Sequence, residues 1–580
     1  MKVLLESGVF VLVTTYEEKF KAQACGGKWE EGRRVWTVKA SLLSALGILS
    51  NAAAGDDVEV ARGFIRVWEQ PVQTVIPSTL EPLMPHQVKG ASELIGRRRW
   101  CITFDMGTGK TATVIGAAQE LFKERKVDLV LVVSPLSVFG SWERQIKRFC
   151  AVPYRFMTLV GARKDRTERM DDVRTLRKMF AWKRLVFACV NYEALRLYAD
   201  DLIKLRPGLV AFDESTFIKN RSAQMTKAAA RISRAAQYAT ALTGTPISNN
   251  VGDLFGQLHA VSSEFVGDDY WHYIREFATF GGYKGKEIIG SRNLTALDWI
   301  MKRCSYRVRK DEVLDLPDLT QETREVELEG EQEEAYRKAE TDFYFAVEAV
   351  KKGLRELSRK EDPSKHHELV TVLIKNAMSR LLRCQQIAGG HCKSEVGDVI
   401  LWPDNPKVRE VVEIAEQSGD QRIVIFSRFI ENLEQGRKAV EKAGFPCEVY
   451  HGGVKHGDRA RIENEFLKEK TSLKAMFVQV KTGGFGIDFS KASIAIFYDN
   501  WFSWAVRDQA QSRLHRLGQK RNVLCIDLIG KRTVDETVLE TVLSKRSLSE
   551  VLFGKKVDEA DNFEDALPVV KDIDSIVKGV

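Results

Sequence analysis

The sequence predicts an α/β fold with two parallel-sheet lobes, helical insertions between them and a small α+β domain in front. Three observations predict it. Short apolar, β-branched runs alternate with helical stretches over residues 83–254, and the alternation returns over 405–552. Strands buried on both faces of a parallel sheet are spelled this way. Between the two blocks, residues 255–404 turn charged and helical in pattern, notably Glu329–Leu357 and His366–Gln386. At 580 residues the chain has room for roughly two to four domains.

In order, residues 1–70 are expected to hold strands at Val3–Val13, Arg34–Val38 and Val58–Trp68, with helices at Tyr16–Ala24 and Ala40–Ala53. A linker with three prolines spans 71–82. The first lobe has strand runs at Cys101–Phe104, Leu129–Val133, Leu185–Val190, Leu209–Phe212 and Ala239–Leu242. The second has them at Ile423–Phe426, Cys447–Tyr450, Ala475–Val480, Ile494–Tyr498 and Val523–Ile529. Residues 553–580 form an acidic tail.

Composition narrows the class. Apolar residues make up 44% and charged residues 29%, which fits a folded protein and excludes wholesale disorder. The net charge of +8 permits a nucleic-acid partner without requiring one. Nine cysteines without a C-x-x-C pair speak against structural zinc or a disulfide framework, and for a reducing, cytoplasmic or nucleoid-associated setting. Val127–Phe139 is the most apolar stretch, too short to span a bilayer and broken by Asp128 and Pro135.

Asp105–Thr111 (DMGTGKT) follows an apolar run and opens a helical pattern. Gly107, Thr108 and Gly109 can turn backbone N–H groups toward phosphate oxygens, aided by the helix N-terminus. Lys110 can reach the β- and γ-phosphates of a nucleotide, and the Thr111 hydroxyl can ligate Mg²⁺. Asp213-Glu214 ends another apolar strand, at the edge where parallel sheets bind ligands. Asp213 would hold the Mg²⁺ and Glu214 would polarise the attacking water. The Gln87 amide could pair with the adenine edge. Leu242–Pro246 (LTGTP) places hydroxyls at a third strand end. In the second lobe, Gly483–Asp488 (GGFGID) is a glycine-rich turn after a strand, and Gln509–Gln519 (QAQSRLHRLGQ) carries Arg513 and Arg516. Three apart, these two share a face if they lie on a helix. An arginine offered to the γ-phosphate is worth about 10³–10⁵ in rate.

These elements in this order resemble the superfamily 2 helicase-like ATPases, and within them the SNF2 family of DNA translocases; QAQSRLHRLGQ is the most specific. Arg307–Pro317 (RVRKDEVLDLP) and Leu381–Gln386 (LLRCQQ) look like that family's spacer segments. Ser215-Thr216 departs from the family's usual ending of the acidic motif. The resemblance covers about residues 80–552 and implies two RecA-like lobes that use ATP and Mg²⁺. It implies nucleotide contacts at Gly486 and Asp488, and a double-stranded DNA track along Ser134, Trp142, Lys219, Arg221, Asn249, Ser427, Arg428, Lys481 and Trp501.

The first seventy residues bear on the substrate. Lys28, Trp29, Arg33 and Trp36 interleave bases with aromatics, a pattern suited to single strands and junctions. Trp29 and Trp36 could equally be core of a small domain. The pattern Phe20, Gly26-Gly27, Trp29 and Trp36 looks like the HARP domain of annealing helicases. The expected function is therefore an ATP-dependent DNA translocase that anneals or remodels forked DNA, monomeric on DNA and bacterial or phage-encoded. A motor that displaces protein–DNA complexes, as in restriction-type assemblies, and an ATP-switched DNA-binding module remain as alternatives.

Overall fold

The computed structural model describes residues 1–15, 17–53, 56–161, 163–179, 182–247, 250–281, 287–357, 379–393, 398–454, 456–480, 487–516 and 518–553. They divide into two compact units, chiefly Met1–Thr279 with Gly290–Val313, and Leu314–Val551.

The first unit opens with a four-stranded antiparallel sheet of β1 (Lys2–Glu6), β2 (Val9–Val13), β3 (Lys28–Glu30) and β4 (Val35–Lys39), in the order β1-β2-β4-β3. The expected strand Val3–Val13 is a hairpin. Ser7 and Gly8 both adopt positive φ, 48° and 76°, as a tight two-residue turn between right-twisted strands requires. The expected strand Val58–Trp68 is corrected to a helix, Glu59–Glu69. Its buried residues Ala61, Ile65 and Trp68 recur at helical spacing, a period hidden behind the β-branched residues around them. This helix and Leu42–Ser50, capped by Ser41 and Ser44, cover the sheet over a core of Val3, Phe10, Leu12, Ile48 and Ile65.

This element is packed on the rest of its unit. Trp68 meets Phe265 edge-on at 5.4 Å, Arg303 pairs with Glu69, and the Gly26 backbone lies so close to His272 that a Cβ there would sit 2.8 Å from its ring.

Seven parallel strands form the sheet of the first lobe: β5 (Arg99–Phe104), β6 (Leu129–Val133), β7 (Tyr154–Thr158), β8 (Leu185–Val190), β9 (Leu209–Asp213), β10 (Tyr238–Leu242) and, after the separate two-stranded pair β11 (Ala278–Gly281) and β12 (Glu287–Ser291), β13 (Ser305–Val308). The order is β13-β5-β10-β9-β6-β8-β7. β6, β8, β9 and β10 are wholly buried, which explains their unbroken apolar spelling.

The second lobe is a six-stranded parallel sheet of β14 (Leu319–Val326), β17 (Arg422–Ser427), β18 (Cys447–Tyr450), β19 (Ala475–Gln479), β20 (Ala492–Phe497) and β21 (Val523–Gly530). Its order is β14-β21-β20-β17-β19-β18; β15 (His391–Lys393) and β16 (Val399–Leu401) pair apart from it. The segment 255–404 is thus not only helical: it supplies an edge strand, β13 or β14, to each large sheet. Edge strands carry polar residues toward solvent, and Leu319–Val326 (LTQETREV) reads as a charged segment for that reason. The expected helix Glu329–Leu357 runs from Gly330 to Leu357. Of His366–Gln386, residues 379–386 are helical and the remainder lies outside the described residues.

Candidate functional site: a phosphate loop and two carboxylates on adjacent strand ends

Three motif-bearing strands are neighbours. β10 lies between β5 and β9, with Leu242 in register with Ile102 on one side and Asp213 on the other. The strands are parallel, so the Asp105–Thr111 loop, the Thr243–Pro246 turn and the Asp213-Glu214 pair emerge at one edge.

The loop is built around its glycines. Gly107 and Gly109 have φ of 84° and 89°, where an L side chain is strained. A Cβ on Gly109 would lie 2.1 Å from Gln87 Nε2. Gln87 donates from Nε2 to the Thr108 carbonyl (3.0 Å) and accepts at Oε1 from the Met84 N–H (3.0 Å). Both ends of its amide are used inside the protein, so Gln87 braces the loop instead of presenting its amide outward. His86 Nε2 reaches the same carbonyl at 2.8 Å. Lys110, the first residue of the helix Lys110–Lys123, donates to the carbonyls of Phe104 and Asp105 at 3.0 and 3.3 Å, and half-buried Thr111 follows it.

Asp213 is buried and held. Its Oδ2 accepts from the Trp142 indole N–H at 2.8 Å, its Oδ1 from the Glu214 N–H at 3.1 Å, and its carbonyl from the Tyr192 hydroxyl at 2.7 Å. Burial, and then the charges of Asp213 and Glu214, push the Tyr192 phenol well up, so it stays a neutral donor. Glu214 is half-buried and left-handed, with φ 54° and ψ 56°. Ser215, at the departure from the family pattern, donates to Gln257 Oε1 at 2.7 Å. Gln257 Nε2 in turn donates to the Pro246 carbonyl at 2.7 Å, tying the acidic turn to the LTGTP turn.

Arg307 is a site residue that sequence reasoning set aside as spacer. From β13 it donates to the carbonyls of Thr103 (2.7 Å) and Gly244 (3.0 Å) and to Asp105 Oδ1 (2.5 Å). One guanidinium thus clamps the base of the phosphate loop to the neighbouring turn. Its five-donor fork and its place on the strand beside β5 are what permit this.

Among the DNA-track residues, Ser134, Trp142 and Ser427 are corrected: each is fully buried, so its side chain offers no surface to a phosphate backbone. Trp142 packs behind Asp213. Ser427 bonds to buried Asp499, which also accepts from the Arg428 N–H (2.8 Å) and Asn432 Nδ2 (3.1 Å). Arg428 stacks over Trp501 at 4.2 Å, and burial lowers its pKa. Lys219 is half-exposed, with Nζ 3.5 Å from Asp253, and exposed Arg221 covers Tyr270 at 4.0 Å. Asn249, Lys481 and Gly486 lie outside the described residues.

Arg513 and Arg516 do not share a helix face. The helix Trp504–Gln511 ends before them, and both lie half-buried in the turns that follow. The Arg513 carbonyl accepts from the Phe489 N–H at 3.0 Å, and Arg516 Nη1 sits 3.8 Å from Asp488 Oδ2. Gln519, bonded to the carbonyls of Ala492 and Leu514, folds the chain back there. In the first seventy residues, Lys28 and Trp29 are exposed on β3, Trp36 opposite is half-buried with ring centres 5.4 Å apart, and Arg33 pairs with Glu6 at 2.7 Å.

No helix among the described residues is long and apolar enough to cross a membrane. Comparison with known proteins adds the following. The chain is 26% identical to the uncharacterized ATP-dependent helicase MG018 of Mycoplasma genitalium, across 77% of this chain and 39% of that protein. It is 24% identical to the Caenorhabditis elegans homologue of SWI/SNF-related matrix-associated actin-dependent regulator of chromatin subfamily A-like protein 1, across 89% and 70%. A solved structure, the Sulfolobus solfataricus SWI2/SNF2 ATPase core in complex with dsDNA, is 25% identical with a TM-score of 0.38, covering 83% of this chain and 95% of that one. The chain spans about two fifths of the length of the Mycoplasma relatives it matches. The helicase conserved C-terminal domain matches residues 406–518 and the SNF2-related domain residues 86–444. That span is more than half of the chain, and with the phosphate loop and carboxylates it encloses, the chain belongs to the SNF2-related family.

Proposed function

We propose that this chain is a Mg²⁺- and DNA-dependent ATPase that translocates on double-stranded DNA and anneals or remodels branched DNA. The observation that carries the reading is the adjacency of β5, β10 and β9, which gathers Lys110, Thr111, Asp213 and Glu214 at one strand edge. The donor set fits the substrate. A glycine loop too tight for a Cβ, an ammonium and a helix N-terminus suit a polyphosphate. Thr111 and Asp213 are hard oxygen donors that suit Mg²⁺, which when bound neutralises phosphate charge.

The residues divide the work. Lys110 binds the phosphates, and Glu214 orients and polarises the attacking water. Trp142 and Tyr192 keep Asp213 in place, and Arg307 keeps the loop in register with the LTGTP turn. Arg513 and Arg516 are the candidates for stabilising charge on the transferred phosphoryl group, with Asp488 as a further nucleotide contact. Arg428 with Trp501, and Lys219 and Arg221, remain as the DNA-backbone candidates. In the HARP-like element, Lys28, Trp29 and Trp36 would meet unpaired bases and phosphates at a junction.

The test is an ATPase assay with single-stranded, duplex and forked DNA and RNA as activators. Duplex and forked DNA should stimulate turnover, forked DNA most. Stimulation by RNA alone would sink the reading. Deleting residues 1–70 would uncover Phe265, so Trp29→Ala is the better probe of fork preference. It should lower stimulation by forked DNA and leave stimulation by linear duplex.

A further inference from the structure

Ser427, Gln479 and Asp499 lie at or just past the C-terminal ends of β17, β19 and β20. The opposite edge of the same sheet opens into a broad basin. Arg422, Lys470, Lys474, Lys491, Lys520 and Arg521 line it against only two acids, Asp420 and Glu469. Strands of five or six residues separate the two edges by about 15–20 Å.

Part of this charge is already committed. Arg422 donates to the carbonyls of Phe466, Lys468 and Glu469, Lys491 pairs with Glu469, and Arg521 pairs with Asp420 at 2.7 Å. Among the described residues, no carboxylate lies within ion-pair distance of Lys470, Lys474 or Lys520. Lys474 is nine-tenths buried on the basin floor, its ammonium donating to the Gly419 carbonyl. Burial lowers the Lys474 pKa, and an anion seated in the basin would favour its charged form.

The bases form a row. They stand before β21, β20 and β19 and, as Arg422, on the first residue of β17, and these four strands are successive neighbours in the sheet. Three strand spacings make about 14 Å. A row of that length can meet more than one successive phosphate of a DNA strand. The hydroxyls of Thr471, Ser472 and Ser490 stand among them as further donors. Leu473 is the one aliphatic lining residue, and the lining has no aromatic. That is too little to seat a base, or the apolar anchor an acidic protein partner would bring.

We propose that this basin is a second DNA-backbone site, gripping a duplex segment other than the one engaged at the Arg428–Trp501 edge, such as the second arm of a branched substrate. This rests on the DNA-motor reading above.

The experiment measures binding of a labelled forked DNA with two duplex arms between 50 and 200 mM salt, for the full chain and for the double variant Lys470→Ala, Lys520→Ala. Removing two phosphate contacts should reduce the slope of log K against log salt by about 1.8. The wild type should then lose about 12-fold more affinity than the variant over that range. The double Lys→Arg variant, which keeps the charge, should restore the slope. Equal slopes in a chain that DNA still stimulates overturn the basin alone. A wild type that neither binds DNA nor is stimulated by it overturns the motor reading, and the basin with it. Loss of binding to poly-glutamate with an unchanged DNA slope overturns the proposal in favour of an acidic protein partner.

Discussion

The indole N–H of Trp142 donates to the Asp213 carboxylate at 2.8 Å, and both side chains are buried. Trp142 comes from the helix Phe139–Phe149, so packing of that helix fixes one oxygen of the carboxylate that would meet the metal. Trp142→Phe keeps an aromatic ring and removes the donor. A hydrogen bond to a charged group is worth about 1.5–3 kcal/mol. The variant should need more Mg²⁺ for half-maximal ATPase and turn over about tenfold more slowly. A Mg²⁺ titration checks this; an unchanged requirement would mean that the indole serves packing only.

Glu214 holds φ at 54°, a conformation costing about 1 kcal/mol or more for a residue with a Cβ. Glu214→Gln should bind ATP normally and lower kcat by about 10²–10⁴, the range general-base catalysis supplies. Glu214→Gly should abolish turnover without lowering the melting temperature, since glycine relieves the left-handed strain. A Glu214→Gly protein that melts well below the wild type would contradict this account.

Arg307 joins Asp105, Thr103 and Gly244 through one fork. Lysine cannot span three acceptors on two strands. Arg307→Lys should raise KM for ATP by about tenfold with a smaller effect on kcat, because it loosens the loop without touching Glu214. Steady-state kinetics in saturating DNA separate the two; a fall in kcat alone would assign Arg307 to the chemical step.

Trp142, Glu214 and Arg307 divide what was legible in the sequence from what was not. Asp213, Glu214 and Lys110 stand out because their chemistry is rare at apolar strand ends and their spacing is local. Trp142 and Arg307 act across 71 and 202 residues of chain, on Asp213 and Asp105. A long-range hydrogen bond leaves no periodic trace, so the resemblance placed Trp142 on the DNA track and Arg307 in a spacer. The fold divides the same way. Buried strands announced themselves by unbroken apolar runs; the polar edge strand β14 did not, nor did the helix Glu59–Glu69, whose β-branched residues imitate a strand.

Arg507 stands just upstream of Arg513 and Arg516 in the chain, but its surroundings are those of a structural residue. It is fully buried, donates to Asp527 (Nη2–Oδ2 2.7 Å) and Asn500 (2.6 Å), and covers Phe497 at 4.1 Å. Arg507→Met leaves Asp527 charged and unpaired inside the second lobe. Removing one partner of a buried pair destabilises by about 3–5 kcal/mol. Chemical denaturation should register that loss, and ATPase per folded molecule should hold. A stable variant with lost turnover would assign Arg507 to the nucleotide instead.

Asp499 makes stability of the second lobe depend on pH. Burial pushes its carboxyl up, against the opposing bonds from Ser427, Arg428 and Asn432 and the charge of Lys407. A carboxyl raised in the folded state binds its proton more tightly there than in the unfolded chain, where it titrates near about 3.9. Over the window above that value the folded state therefore holds more protons, and stability falls as pH rises through the folded pKa. Asp499→Asn keeps the side-chain shape and removes the ionisation. Relative to wild type, it should gain stability as pH rises from about 4 toward neutrality, where the buried charge has its full effect. Urea denaturation of both proteins across that range provides the comparison. Two parallel profiles would mean that the hydrogen bonds from Ser427, Arg428 and Asn432 offset burial completely and that Asp499 is ionised throughout.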